Sequence, residues 1–230
     1  MSSPARSATL RDSLGLGLAV GLYGVAFGAA AVGAGLSAGQ AVALSALMFT
    51  GASQFALVGV LGAGGGALAA IGSALLLGSR NTLYGVRLAP MLAPRGWWRR
   101  AGTAQLVIDE STAMAVAAPD RELGRLAFWV TGGSVYVCWT AMTLVGALGA
   151  AGLGETAQAA LDAVVPAAFL ALLWPRLQRT AKEAGVQRRV ALAGAVVALA
   201  LTPFVPAGLQ VVLAVLAVLL AGRPRPAVAA

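Results

Sequence analysis

The sequence predicts an all-α, polytopic integral membrane protein, and three observations support that prediction. Of the 230 residues, 59% are hydrophobic and only 10% are charged, whereas soluble domains carry about 25% charged residues. The mean hydropathy is +0.85. No charged residue occurs between positions 13 and 79. We therefore expect a single transmembrane domain (1–230) of about seven or eight hydrophobic helical segments, some broken or re-entrant, with a possible internal repeat.

Composition also limits the chemistry that the chain can perform. With one cysteine and no histidine, a disulfide framework or a zinc, haem or iron–sulfur site is not expected, and we predict no cofactor and no metal. No serine–histidine pair or metalloprotease motif is present, so we do not expect an enzyme. The net charge of +8 comes from basic residues that flank apolar segments, which predicts membrane orientation and no nucleic-acid partner.

The first half of the domain covers residues 14–118, after a polar cytoplasmic N-terminus at 1–13. Residues 14–34 form a glycine-rich span of the ~20 residues that a bilayer core requires. Two small-xxx-small patterns in it predict close helix packing, with a substrate-lining face as the alternative. Ser37 is the expected N-cap of the next helix. The remaining segments are residues 41–61, a short one from 67 to about 80, and 101–118.

The second half covers residues 119–222 and precedes a cytoplasmic tail at 223–230. Its spans are expected at residues 126–151, at about 157–174, and in a hairpin at 190–222 that two prolines split near 203–206. Five basic residues before the hairpin predict a cytoplasmic loop, namely Arg176, Arg179, Lys182, Arg188 and Arg189.

The distribution of basic residues conflicts with the simplest topology. Starting from a cytoplasmic Arg6, eight full crossings place Arg95, Arg99 and Arg100 outside, against the positive-inside rule. If that cluster is cytoplasmic, one of the first three segments and the segment with Asp109 must both be re-entrant. We expect six to eight crossings and both termini in the cytoplasm.

Residues 49–55 mark the expected binding site. Gly51 and Ser53 weaken a helix, and Gln54 adds an amide where a lipid-facing helix would carry leucine. Non-helical backbone at membrane depth occurs only where it is buried in protein or lines a cavity. Helix ends freed by such a break bind carboxylates through backbone amides. The substrate-binding residues predicted here are Gly51, Ala52, Ser53 and Gln54, with a simple packing kink as the alternative.

Charged residues at membrane depth form a second constellation, because each costs several kcal/mol unless it is paired or hydrated. The residues concerned are Arg80, Asp109, Glu110 and Asp162. We expect an internal pairing of Arg80 with Asp109 or Glu110, with snorkelling at the interface as the alternative. The two adjacent acids face about 100° apart on a helix, so they are not expected to act as one paired site.

Residues 35–55 and residues 152–169 show a loose internal sequence similarity. A glycine-based break in one half and a proline-based break at Pro166 in the other is a pattern typical of transporter binding sites. We expect the two breaks to approach each other near mid-membrane.

Several blocks of the sequence also resemble one family, and together they cover residues from about 14 to 175. The blocks are Gly35-Leu36-Ser37, Phe49-Thr50-Gly51-Ala52-Ser53-Gln54-Phe55, Arg80-Asn81-Thr82-Leu83-Tyr84 with Pro90, Asp109-Glu110, and Leu161-Asp162-Ala163-Val164-Val165-Pro166-Ala167-Ala168-Phe169-Leu170. They resemble the AzlC family of branched-chain amino acid export permeases. Family members carry an asparagine and a histidine around the arginine ahead of the tyrosine, where this chain has Gly78 and Asn81. A histidine-based proton relay is therefore not expected.

The resemblance implies an inner-membrane exporter of valine, leucine, isoleucine or related hydrophobic amino acids. It also implies a small, separately encoded membrane subunit of the AzlD type as a partner, besides membrane lipid. On this basis the expected substrate-binding set also includes Arg80, Asn81, Tyr84 and Pro166.

We therefore expect a proton-coupled secondary transporter that is multi-pass in the inner membrane. The substrate ammonium is expected at Asp109, Glu110 or Asp162, and one of these acids is expected to carry the coupling proton. The alternatives from other classes are a non-transporting membrane scaffold and a selective channel.

Overall fold

A computed structural model of the chain describes residues 3–151 and 181–205, together with positions 170, 213–214 and 216–217. These residues are helical without a strand, which confirms the expected all-α class. The helices are α1 (Ser3–Leu22), α2 (Gly24–Gly33), α3 (Ala38–Leu47), α4 (Gly51–Gly62), α5 (Ala67–Leu92), α6 (Trp97–Gln105), α7 (Asp109–Ala117), α8 (Arg121–Ala151) and α9 (Ala181–Leu201). Two stretches of the described chain are long and apolar enough to cross a bilayer by length and composition, Pro4–Gly33 and Arg121–Ala150.

The first span is α1 and α2, which are separated only by Tyr23 and pack side by side with α8. Residue numbers rise together along the contact, because Gly17 faces Ser134, Gly21 faces Cys138 and Gly28 faces Thr143. The two elements are therefore parallel. A Cβ added at any of these glycines would overlap the opposite helix, so the predicted close packing of the small-xxx-small patterns is confirmed.

The second segment is a hairpin of two half-helices, α3 and α4. Ser37 caps α3 as expected: its Oγ accepts from the Gln40 N–H, and the Gln40 Oε1 accepts from the Ser37 N–H at 2.8 Å. The helix ends at Leu47, and residues 48–50 are not helical. The expected break is therefore present, three residues earlier than Gly51, and Gly51 begins α4. The end of α4 returns to where α2 ended, because Gly62 lies against Ala34.

Helix α5 corrects the expectation of a short third segment. It continues from Ala67 to Leu92, 26 residues, or about 39 Å at the standard rise. Arg80 therefore lies near its middle instead of at its end. At the far end of α5, Arg121 of α8 donates to the carbonyl oxygens of Pro90 and Met91 at 2.6 and 3.1 Å, which satisfies the last turn of the helix.

The fourth segment is a second hairpin, formed by α6 and α7. It was predicted as one weak span over 101–118, but residues 106–108 interrupt it. After α5 ends, α6 runs into the bundle until Gln105 meets the end of α3. Helix α7 then returns along α8 to the level where α8 begins, because Gly124 faces the Ala115 carbonyl. The two hairpins thus enter the bundle from opposite ends.

The two ends differ in charge over residues 3–151. The end of the bundle that holds the starts of α1, α6 and α8 is called the basic end. In this range, eight of the nine arginines lie toward it, namely Arg6, Arg11, Arg87, Arg95, Arg99, Arg100, Arg121 and Arg125. The other end, which we call the uncharged end, carries the connections 34–37 and 63–66 without a charge. Arg80, at mid-bundle, is the exception.

One expectation for the second half is wrong, and another is confirmed. Helix α9 begins at Ala181, so Lys182, Arg188 and Arg189 lie within a helix and not in a loop. It ends at Leu201, and residues 202–205 turn as the prolines predicted. The segment expected at 157–174, with Asp162 and Pro166, lies outside the described residues apart from position 170. The structural counterpart of the internal similarity between residues 35–55 and 152–169 therefore stays a prediction.

Candidate functional site

A cavity of about 160 Å³ lies at mid-bundle, between the tips of the two hairpins. An apolar cavity of about 150 Å³ is large enough for benzene, so this one suits a small molecule. Its walls come from the first span, both hairpin tips and α8. The lining residues are Val20, Tyr23, Phe49, Thr50, Gly51, Ala52, Phe55, Ile108, Asp109, Glu110, Val135 and Trp139.

The first polar element of the cavity is the N-terminus of α4. Thr50 is extended, and its carbonyl accepts from the Gln54 N–H at 3.0 Å, which starts the helix. The Thr50 side chain does not cap this helix. The amides of Gly51, Ala52 and Ser53 belong to the first turn, where an α-helix provides no acceptor of its own. Gly51 and Ala52 line the cavity, so this wall carries the partial positive charge of a helix N-terminus.

The second polar element is the N-terminus of α7. Ile108 is extended, and Asp109 and Glu110 form the first turn. Ser111 fixes the break, because its Oγ accepts from the Ile108 N–H at 3.1 Å and donates to the Leu106 carbonyl at 2.6 Å. Two acidic side chains thus stand where a helix dipole favours negative charge.

Asp109 is engaged on both of its oxygen atoms. Oδ1 accepts from Arg80 Nε at 3.2 Å and from the Tyr84 hydroxyl at 2.7 Å, and Oδ2 pairs with Arg80 Nη2 at 2.5 Å. The expected pairing of Arg80 with one of the two acids is therefore with Asp109. This two-point ion pair joins the tip of the α6–α7 hairpin to the middle of α5.

Glu110 has a different environment. It has no salt bridge to any residue that the structure describes. It lines the cavity beside Asp109. The two acids therefore differ as the helical geometry predicted, since one is committed to Arg80 and the other is not.

The apolar wall is an aromatic cluster around Trp139. Phe27 and Phe55 lie with their ring centroids 6.1 and 6.2 Å from the Trp139 ring, and Phe49 packs edge-on against Tyr136 at 5.0 Å. The Trp139 indole N–H donates to Gln54 Oε1 at 3.0 Å. Gln54 also donates from Nε2 to the Leu44 carbonyl at 3.2 Å. The Gln54 amide is thus fully buried behind the cavity wall, where it connects the break at residues 48–50 to α8.

Ser53 and Asn81 lie away from the cavity lining. Ser53 is buried on α4 and faces Gly78 of α5. Its Oγ and the Asn81 Oδ1 are buried without a hydrogen-bond partner among the described residues. Arg80 and Tyr84 do not line the cavity, but both contact Asp109, which does. Pro166 and Asp162 lie outside the described residues.

The hairpin tips are joined directly. Gln105, the last residue of α6, donates from Nε2 to the carbonyls of Ala46 and Leu47 at 2.7 and 3.4 Å. The Tyr136 hydroxyl donates to the same Ala46 carbonyl at 3.2 Å. These donors satisfy the C-terminal carbonyls of α3, which its own helix cannot.

Comparison with known proteins gives the family. The model of the family described as AzlC protein matches residues 15–153, which is more than half of the chain. The chain belongs to the AzlC family. It is also similar to "Inner membrane protein YgaZ" of Escherichia coli (strain K12), with 30% identity over 178 residues, 74% of this chain and 72% of the relative. No solved structure gives a significant match.

Sequence reasoning on this AzlC chain missed several residues of the site. It treated Trp139 as part of an ordinary span, although tryptophan in the middle of a span is unusual because it prefers the membrane interface. It also missed the break at residues 106–108. Two acids followed by Ser111 and Thr112 after an apolar run are typical of a helix start. Within the described residues, no cluster of three metal-ligating side chains occurs.

Proposed function

We propose that this protein is an inner-membrane secondary transporter that exports branched-chain or other hydrophobic amino acids. The observation that carries the proposal is the cavity in which an uncapped helix N-terminus, two carboxylates and an aromatic wall meet. A hydrophobic amino acid has one matching part for each wall: a carboxylate, an ammonium and an apolar side chain. Membership of the AzlC family and similarity to an inner-membrane relative support a role in membrane transport.

The first-turn amides of α4, at Gly51 and Ala52, receive the substrate carboxylate in this proposal. An acidic residue of the α7 N-terminus receives the ammonium. Phe49, Val135 and Trp139 contact the side chain. Several apolar residues and no basic side chain line the cavity in the described part of the chain, which favours a zwitterion with an apolar side chain over an anion.

The arrangement of the hairpins supports transport over a purely structural role. Discontinuous helices whose N-termini face a site near mid-membrane are typical of secondary transporters with inverted repeats. Here a span followed by a hairpin occurs twice in opposite directions, as α1–α4 and as α5–α7. By the positive-inside rule, the basic end is cytoplasmic in this proposal. The N-terminus lies at that end and is therefore cytoplasmic too. Both hairpins are then re-entrant, and the topological conflict over Arg95, Arg99 and Arg100 disappears.

We further propose coupling to the proton gradient and a small AzlD-like membrane subunit. Acids at the cavity, Asp109 and Glu110, together with Asp162, are the candidates for the coupling proton. Large apolar side chains on α5 and α8 are exposed, among them Leu68 at 87% and Val137 at 68%. Such faces suit lipid or another hydrophobic subunit.

An export assay tests the proposal. Cells that express the protein with its small partner are loaded with valine, leucine or isoleucine, and the intracellular amino acid is followed over time. We expect faster loss than in cells without the pair. Ala52→Leu, which fills the cavity, should abolish the difference, whereas Ala43→Leu on the exposed face of α3 should not.

The same assay separates the rival functions. Unchanged intracellular levels for all three amino acids would contradict export and favour a scaffold. Flux that does not saturate and ignores a protonophore would contradict a coupled transporter and favour a channel.

Cysteine labelling tests the proposed membrane arrangement. In a Cys138→Ser background, Ser7→Cys and Trp97→Cys should react with a membrane-permeant maleimide but not with an impermeant one, because both lie at the basic end. Ala63→Cys, at the uncharged end, should react with both. Labelling of Trp97→Cys by the impermeant reagent would contradict the re-entrant arrangement.

A further inference from the structure

We propose that the two neighbouring acids of the cavity have separate roles, in which Glu110 receives the substrate ammonium and Asp109 is a positioning residue. This inference rests on the proposed function and assigns the residues of that same site. The sequence alone left Asp109, Glu110 and Asp162 as equal candidates for this role.

The contacts of Asp109 exclude it from direct recognition. Arg80 occupies both of its carboxylate oxygens, and the Tyr84 hydroxyl shares one of them. A substrate ammonium at Asp109 would have to compete with a guanidinium that is already bound at two points. The negative charge of Asp109 is thus balanced before any substrate arrives.

Glu110 retains the properties that an ammonium site requires. It forms no salt bridge with the residues that the structure describes, so its carboxylate oxygens keep acceptor positions for a donor. It lines the same cavity as the α4 residues Gly51 and Ala52. A zwitterion between these walls would direct its carboxylate to α4 and its ammonium to α7.

The Arg80–Asp109 pair gives the positioning role a physical basis. Asp109 is the first residue of α7 and Glu110 is the next, so fixing Asp109 to α5 fixes the direction in which Glu110 points. Arg80 in turn belongs to a continuous helix of 26 residues. The pair therefore transmits the rigidity of α5 to the residue that contacts the substrate.

Ligand binding to the purified protein with its small partner tests the division of roles. Affinities are measured by calorimetry for L-leucine and for isocaproate, which has the same carbon skeleton without the amino group. Glu110→Gln should weaken leucine binding by about 10- to 100-fold, the range of one charge-assisted hydrogen bond. Its isocaproate affinity and its Tm should stay unchanged. Glu122→Gln, at the exposed start of α8, is the matched control.

The positioning role of Asp109 has its own signature. Asp109→Asn should weaken leucine and isocaproate alike and lower Tm, because it leaves Arg80 without its partner. Adding Arg80→Gln to Asp109→Asn should restore part of the lost leucine affinity, since the unpaired charge is then gone. A direct ammonium site at Asp109 would instead show loss of leucine binding alone, without rescue.

The outcomes distinguish this inference from the proposed function. If the unaltered protein binds leucine and Glu110→Gln binds it equally well, the assignment of Glu110 is wrong while the transporter proposal stands. The assignment is also wrong if isocaproate binding falls as much as leucine binding. If the unaltered protein with its partner binds no hydrophobic amino acid, the proposed function fails and this inference fails with it.

Discussion

The two hairpins reach the same cavity from opposite ends, yet different forces hold their tips. The tip of α3–α4 is neutral, and its anchor is the buried Gln54 amide bonded to Trp139 of α8. The tip of α6–α7 is charged, and its anchor is the ion pair between Asp109 and Arg80 of α5. One hairpin thus depends on α8 and hydrogen bonding, and the other depends on α5 and charge pairing.

In the proposed function, this difference separates two tasks of a site that binds a zwitterion. The neutral hairpin offers backbone amides, whose partial positive charge needs no counter-ion. The charged hairpin offers a carboxylate, and a second carboxylate beside it is neutralised by Arg80. Because a charge at mid-membrane is stable only when it is paired, the charged tip should be the more sensitive one to single substitutions.

The largest effect is expected for the charged tip. Arg80→Gln leaves the partly buried Asp109 without its ion pair, and we expect a loss of about 3 kcal/mol, the lower end of the range for breaking a buried ion pair. Both side chains remain about a third exposed, which is why the lower end applies. Thermal unfolding in detergent measures the effect. Arg87→Gln, an exposed arginine on the same helix, is the control, and an equal loss in both variants would contradict the anchoring role of the pair.

An intermediate effect is expected for the neutral tip. Gln54→Leu leaves the Trp139 indole N–H without an acceptor in a buried site, which costs about 1–3 kcal/mol. A double-mutant cycle with Trp139→Phe, read by the same unfolding assay, isolates the bond, and we expect the two losses to be less than additive. Full additivity would show that the amide and the indole act independently. Gln187→Leu, at an exposed position of α9, removes a similar amide as a control for the substitution type.

The smallest effect is expected where the tips touch. Gln105→Leu removes the donor to the Ala46 carbonyl, but Tyr136 still donates to that carbonyl. We expect a loss of about 1 kcal/mol, the net value of one hydrogen bond. A loss as large as that of Arg80→Gln would mean that the contact between the tips, and not the separate anchors, holds the cavity together.

Much of the fold could be predicted from the sequence, because strong local signals were present. The glycine spacing from Gly17 to Gly28 predicted tight helix packing, Ser37 predicted a capped helix start, and the uninterrupted apolar runs predicted the spans. The interruption near Gly51 was also visible, since glycine, serine and glutamine are unusual neighbours in a lipid-facing helix.

What the sequence could not provide was the direction of each segment. A half-helix that returns to its starting side has the same composition as one that crosses, so the conflict over Arg95 and Arg99 had no solution from hydropathy. Tertiary contacts show the directions, since Gly62 returns to Ala34 and Ala115 returns to Gly124, and the placement of Arg95 and Arg99 belongs to the proposed membrane arrangement. Arg80 was placed too near a helix end for the same reason, because the polar residues 79–82 resemble a boundary while α5 continues through them.

Local sequence patterns could not predict the hydrogen-bond and ion-pair partners of the site residues either. Gln54 and Trp139 are 85 positions apart, and Gln105 and Ala46 are 59 apart. The sequence identified Gln54 as important, but only the fold places its amide behind the cavity wall and not in it. Asp109 differs from Glu110 through its contacts with Arg80 and Tyr84, which lie 29 and 25 positions from Asp109.

The parallel packing of the first span against α8 also bears on whether the number of membrane crossings is odd or even. In the proposed membrane arrangement, residues 3–151 cross three times, through α1–α2, α5 and α8, while neither hairpin counts. An odd count leaves Ala151 on the side opposite to the N-terminus. For the C-terminus to share the cytoplasm with the N-terminus, the remaining residues must also cross an odd number of times. The three segments expected there, one at 157–174 and two in the hairpin at 190–222, meet that condition if each crosses once.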